Sequence, residues 1–191
     1  MQYTRFVLLI KNIVRCVNYL SSMKKIGLIS DTHGYLDELV FKHFDQCDEI
    51  WHAGDFGTIA IAQHLETGQT GRQTTLKGVY GNIDGYDVRS IYPEQLVWIC
   101  EEVKVLMTHI GGYPPKYNLK VREQLSIHRP QLFISGHSHI LKIMYDEKFQ
   151  CLHMNPGAAG KQGWHSMRTI IRFTIDGKEM KNCEVIELGK R

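Results

Sequence analysis

Short apolar runs ending in small or polar residues alternate along this chain with stretches of helical periodicity. KIGLIS runs into DTHG, EIWHAGD and TTLKGVYGN end alike, and VKVLMTH and QLFISGHSH repeat the habit. Between the runs, Leu36, Leu39, Val40 and Phe44 follow helical spacing, and Asn118 to His128 reads as another helix closed by Pro130. This alternation predicts an α/β fold. The later segments LKIMYDEKFQCLHMNPG and TIIRFTIDGKEMKNCEVIEL are β-patterned, and the second carries Asp176-Gly177 at a hairpin-like position, so a purely parallel sheet is not expected.

The polar residues at the run ends are regularly placed. From His33 to Asp55 is 22 residues, to Asn82 another 27, to His109 another 27 and to His137 another 28. Each step approximates one strand-helix-strand unit of roughly 30 residues. Ligands of open α/β sheets gather outside the carboxyl ends of the strands, so these residues are expected to converge on one edge.

The converging set is Asp31, His33, Asp55, Asn82, His109, His137 and His139. Imidazole, carboxylate and amide oxygen suit borderline divalent metals, and the absence of cysteine argues against a structural zinc site. Seven ligands exceed what one ion with an open position can use, but they suffice for two if a carboxylate bridges. Two ions about 3.5 to 4 Å apart clamp the oxygens of an in-line displacement and lower the pKa of a bound water. With only two anionic residues against four metal charges, the centre keeps about +2, or +1 with a bridging hydroxide, which attracts phosphate.

That local charge matters because the rest of the chain supplies none. The formal charge of +3 depends on residues 1–25, which hold five basic residues and no acid; the remainder has 18 basic against 20 acidic residues. No stable nucleic-acid binding is expected from such a balance. At 191 residues the chain fits a single domain. Its five cysteines are odd in number, scattered and never in C-x-x-C spacing, which predicts reduced thiols filling the core of a cytoplasmic protein. In residues 1–22 the longest apolar run, Phe6 to Ile10, is too short for a signal peptide or a membrane span. Phe6, Ile10, Ile13, Val14 and Val17 fall at helical spacing, which leaves a short amphipathic helix or a start-codon artefact as readings. Met23 directly precedes the first clear strand, so a single domain is expected over 23–191, with 1–22 as a helical or disordered extension.

DTHG, HAGD, GNID, THIG and GHSH, in this order, resemble the motifs of the calcineurin-like metallophosphoesterases. The resemblance covers Lys24 to about Leu188 and points to the small branch containing bacterial YfcE-type phosphodiesterases and the retromer subunit of vacuolar sorting. It implies an α/β/β/α sandwich of two mixed β-sheets flanked by helices. It also implies one metal on Asp31, His33 and His139, a second on Asn82, His109 and His137, and Asp55 bridging them. The activity implied is a metal-dependent phosphodiesterase acting on a small diester, with a metal-bridging hydroxide as nucleophile and Asn82 and His109 stabilising the developing charge. Manganese is the first candidate, with iron, zinc, nickel or cobalt as alternatives, and a homo-oligomer is compatible with the branch. The alternative is a non-catalytic protein-binding scaffold like the retromer subunit, which lacks part of the ligand set that is complete here.

One departure stands out. Where most of the wider superfamily reads G-N-H-D/E, this chain has Gly81-Asn82-Ile83-Asp84, without the histidine that elsewhere contacts phosphate and helps protonate the leaving group. The NPG turn at Asn155 to Gly157 also resembles the family and is expected to shape a nearby loop. Local alternatives exist for single residues: Asp31 as a helix N-cap and Asn82 as a turn residue. His52, in WHAGD, is expected to support the ligands from behind. His43, His64, His128, His153 and His165 are expected at the surface or in supporting roles, and Trp51, Trp98 and Trp164 in the core or an interface.

Overall fold

The computed structural model describes residues 23–68, 71 and 73–191. The expectations for residues 1–22, Cys16 among them, lie outside the described residues. In chain order the elements are β1 (Lys24–Ile29), α1 (Glu38–Phe44), β2 (Glu49–His52), α2 (Ile59–Thr67), β3 (Thr75–Gly78), α3 (Tyr86–Arg89), β4 (Gln95–Cys100) and β5 (Val103–Thr108). There follow β6 (Gly112–Tyr113), β7 (Lys116–Tyr117), α4 (Leu119–His128), β8 (Leu132–Ile134), β9 (Leu141–Asp146), β10 (Cys151–Pro156), β11 (Met167–Asp176) and β12 (Glu179–Lys190).

Two five-stranded mixed sheets form, in the orders β12-β11-β1-β2-β3 and β4-β5-β8-β10-β9, with β6 and β7 as a separate ribbon. In the first, β1, β2 and β3 run parallel while β11 is antiparallel to β1 and β12. In the second, β5, β8 and β10 are parallel, and the edges β4 and β9 are antiparallel to their neighbours. β11 and β12 meet in a hairpin whose turn includes Gly177, φ +56°, following Asp176.

Strand alternation sorts the apolar residues into layers. On β1, Ile26 and Leu28 face the second sheet, where they join Trp51, Val105, Met107, Leu132, Ile134 and Phe173 in the central core. Ile29, on the other face, packs with Val40 and Phe44 of α1 and Ile61 and Leu65 of α2. α4 covers the outer face of the second sheet, with Val121 and Leu125 against Leu106 and Phe133. The result is four layers, α/β/β/α. Each fully buried aliphatic or phenyl side chain in them contributes about 1.5–3 kcal/mol. Gly27 belongs to this packing: a Cβ there would fall 2.7 Å from the Phe44 ring, so only glycine lets α1 lie flush on β1.

α4 forms where its signals place it. The Asn118 side chain accepts from Val121 N at 2.8 Å, and the helix ends at Arg129, φ +46°, just before Pro130. In α1 the cap is Asp37, which accepts from Leu39 N at 3.0 Å, and not Asp31. Leu39 is exposed, so the buried face of α1 is narrower than its four-residue pattern suggests. The step from Asn82 to His109 is not a strand-helix-strand unit either: it passes through the single turn of α3 and the antiparallel β4 into the second sheet. Cys47, Cys100 and Cys151 are buried, whereas Cys183 is exposed. Among the described residues no helix is long and apolar enough to cross a membrane.

Candidate metal centre

All seven strand-end residues come together where the parallel strands of both sheets terminate. Asp31 and His33 follow β1, Asp55 follows β2, Asn82 follows β3, His109 follows β5, and His137 and His139 follow β8. The chain turns sharply at each of these ends. Asp31, His33, Asp55, His137 and His139 have φ of +54°, +48°, +58°, +67° and +57°, the left-handed region that side-chain-bearing residues rarely adopt. Each costs about 1–3 kcal/mol, and such strain persists only where surrounding structure over-determines it.

Hydrogen bonds between the loops supply that determination. Asp31 N donates to Gly54 O and His33 N to Asp55 O, both at 3.0 Å, and Gly136 N donates to His109 O at 3.0 Å. Thr32 Oγ1 donates to Phe56 O at 3.1 Å. Asn155 Nδ2 donates to Gly136 O at 2.8 Å and to Ser138 Oγ at 3.2 Å, so the NPG turn holds the GHSH loop without entering the centre. Asp84 ties two further loops, its Oδ1 accepting from Gly57 N at 2.8 Å and its Oδ2 from Gly81 N at 2.7 Å. A Cβ on Gly81 would overlap the Asp55 carboxylate, which explains glycine before Asn82.

Two triads result. Asp31, His33 and His139 present ligand atoms within 4.8 Å of one another, and so do Asp55, His109 and His137. They share a border: Asp55 Oδ2 is 3.2 Å from His109 Nε2 and 3.7 Å from His33 Nε2. Asp31 Oδ1 is 3.2 Å from His139 Nε2 and 3.9 Å from His109 Nε2. Asn82 Oδ1 reaches His109 Nε2 at 3.2 Å, joining the second triad.

The donor chemistry fits a cation. His109 Nδ1 donates to Ala53 O at 2.8 Å, which in the neutral ring leaves the Nε2 lone pair facing the oxygens of Asp55, Asp31 and Asn82. His33 Nε2 and His139 Nε2 likewise confront each other at 3.2 Å. Lone pairs so arranged need protons or metal ions between them. Without metal, protons take the place. Burial pushes His109 down, but the hydrogen bond to Asp55 and the charges of Asp31 and Asp55 outweigh it and raise its pKa above the usual imidazole value. Burial pushes Asp55 up, yet the bond and charge of His109, Ile83 N–H and His33 leave it below the usual carboxylate value.

Behind the triads, His52 is fully buried, and burial, reinforced by the charge of His109, holds its pKa well below the usual value. Its Nδ1 accepts from Gly54 N at 3.1 Å, and its Nε2 meets Thr32 Oγ1 at 3.0 Å, so it braces the Asp31 and Asp55 loops as a neutral strut. His165 lies closer than its sequence context suggests, with its ring centroid 5.3 Å from that of His139; nothing in its surroundings in the sequence signals this. Trp51 and Trp98 pack together in the core, whereas Trp164 is fully exposed beside His139.

Residues 23–178 match the calcineurin-like phosphoesterase superfamily domain. The chain belongs to that superfamily. Among curated proteins it is similar to a probable metallophosphoesterase of Methanothermobacter thermautotrophicus, with 28% identity over 170 residues, covering 86% of this chain and 92% of the relative. Among solved structures, a predicted phosphoesterase of Streptococcus pneumoniae shares the fold at a TM-score of 0.64 and 24% identity, covering 87% and 90% of the two chains. An archaeal phosphodiesterase matches at 0.66 and 22% identity, over 86% of this chain and 99% of that one. Vps29 of Chaetomium thermophilum matches at 0.67 and 15% identity, over 88% and 100%. Calcineurin-like phosphoesterases bind metal ions, and the two triads are the candidate ligand groups of this chain.

Proposed function

We propose that this chain is a phosphodiesterase that works with two divalent metal ions, manganese first among them. One ion is assigned to Asp31, His33 and His139, the other to Asn82, His109 and His137, with Asp55 between. The observation that carries the reading is the place of Asp55 Oδ2, 3.2 Å from His109 of one triad and 3.7 Å from His33 of the other, whereas Asp31 Oδ1 comes no nearer than 3.9 Å to His109 of the triad opposite its own. When bound, the ions supply a water of lowered pKa and neutralise phosphoryl charge.

The protein's own groups divide the remaining work. Because His109 Nδ1 is committed to Ala53 O, His109 serves the centre through Nε2 as a ligand. With Asn82 Oδ1 turned toward His109, the Asn82 amide N–H groups are left for a phosphoryl oxygen, where charge builds in the transition state. Ile83, 46% exposed at the rim, offers no proton to the departing oxygen, so diesters with good leaving groups are the favoured substrates. Hydrolysis of an aryl phosphodiester by purified protein, with manganese and with chelator, tests the reading; no manganese-dependent rate would refute it.

A protein-binding scaffold is the second reading, and β9 favours it. That edge strand exposes Leu141, Ile143 and Tyr145 along one face and Met144 on the other, and among the described residues no strand pairs with its outer edge. The same assay separates the two readings, because a scaffold has no need of turnover.

A further inference from the structure

Beside Asn82 and His109 a cavity of about 340 Å³ opens between α3 and α4. Its size is near the lower end for small-molecule pockets. Most of its polar lining is already satisfied within the protein. Lys120 Nζ pairs with Glu94 at 2.6 Å, Gln95 Nε2 donates to Gln124 Oε1 at 2.9 Å, and Asn118 is spent on Val121 N and Ile110 O.

Arg89 is the exception. Its Nε donates to Asp84 O at 2.6 Å, and its Nη2 donates to Gly81 O and to Asn82 O, each at 3.1 Å. The guanidinium also lies 4.4 Å from the centre of the Tyr80 ring. These contacts fix its plane against the turn that carries Asn82. None of them neutralises it: no carboxylate lies within ion-pair distance among the described residues, and Nη1 has no acceptor among them. A planar cation with a spare pair of N–H groups is thus held one residue from the reacting centre.

We propose that this cavity is the subsite for the leaving group and that Arg89 Nη1 binds a second anionic group carried by it. The substrate class is then a small phosphodiester bearing a further anion, such as a carboxylate, beyond the scissile ester. The inference rests on the phosphodiesterase reading and adds substrate class to it. Arg89 acts as a specificity residue, and through the three carbonyls also as a positioning residue for Asn82.

Calorimetric binding of phenylphosphonate and 4-carboxyphenylphosphonate to the manganese-loaded protein tests the subsite, with hydrolysis of a neutral aryl diester measured alongside. The carboxylate probe should bind roughly tenfold more tightly, as one partly exposed charge-assisted hydrogen bond allows. That preference should shrink as salt is raised and vanish in Arg89→Gln, whatever the variant does to absolute affinity. The comparison of the two probes needs only the native protein, so equal affinities refute the subsite even if the variant does not fold. Equal affinities in the native protein, or a preference that survives Arg89→Gln, would overturn the subsite while manganese-dependent hydrolysis of the neutral diester leaves the phosphodiesterase reading standing. No hydrolysis and no binding of either probe would overturn both.

Discussion

The Asp55 carboxylate, at the end of one sheet, lies 3.2 Å from the Nε2 of His109, at the end of the other. Two sheets that share an apolar core are therefore also joined by a polar contact at this edge. The same oxygen is 3.7 Å from His33, so a single side chain borders both ligand triads.

Asp55→Asn keeps the shape, and its amide oxygen can still accept from Ile83 N, a bond of 3.0 Å in the native chain. It removes the carboxylate charge that lies closest to histidines of both triads. Metal content should fall to one ion per chain or fewer, and the aryl diester rate by about 10²–10³-fold or more, the scale of losing one electrostatic element of a catalytic site. Elemental analysis with steady-state kinetics checks this; a variant that keeps two ions and its rate would remove Asp55 from the bridging role.

Asn155 is buried and spends both ends of its amide on the GHSH loop and on Gly157 N, which it receives at 3.0 Å. Asn155→Ala leaves those partners short of bonds and should cost about 1–3 kcal/mol in urea unfolding of the chelator-treated protein. Metal affinity should weaken about 10- to 100-fold, as for other losses behind a ligand shell. Unchanged metal affinity would mean that the loop holds its shape without Asn155.

The absent acid at Ile83 predicts a rate that falls steeply as leaving-group pKa rises. Ile83→His should flatten that dependence, but modestly. A well-placed general acid gives about 10²–10⁴-fold. Here the neighbouring Asp84 already receives Gly57 N and Gly81 N, so it is poorly free to orient an imidazole, and a gain near the bottom of that range or below is expected. A shallow slope in the native enzyme would show that another group protonates the leaving oxygen.

His153 couples stability to pH. Burial, with a smaller push from Lys142, lowers its pKa from 6.5 to about 4. Unfolded chains take up the proton near 6.5 and the folded chain only near 4, so its contribution is intact above 6.5 and is lost as pH falls toward 4. The loss is at most about 3 kcal/mol. His153→Gln should therefore lose less stability than the native chain between pH 7.5 and 5, as read from urea midpoints with chelator present. Equal losses would assign the acid sensitivity to other groups, such as His52.

The strand ends were legible because each ligand closes an apolar run, and α4 because Asn118 and Pro130 mark its two limits. The sheet pairing was not. The 27 residues from Asn82 to His109 have the length of a crossover unit, but they hold α3 and the antiparallel β4, and the choice of strand partner is a long-range matter that local periodicity does not report. Leu39 carries a helical period yet faces solvent, since only one side of the short α1 meets the sheet. At the centre, motif residues could be read by type and order. His165 and Arg89 could not, because neither ends a strand, and each reaches the site only through the fold of the segment that carries it.

The central claim is the pair of ions. Crystals of protein incubated with manganese at neutral pH, measured by anomalous scattering at the manganese edge, test it most directly. The account predicts two peaks per chain, one among Asp31, His33 and His139 and one among Asn82, His109 and His137, with Asp55 touching both. No peak at these residues, or a single ion that leaves one triad bare, would contradict it.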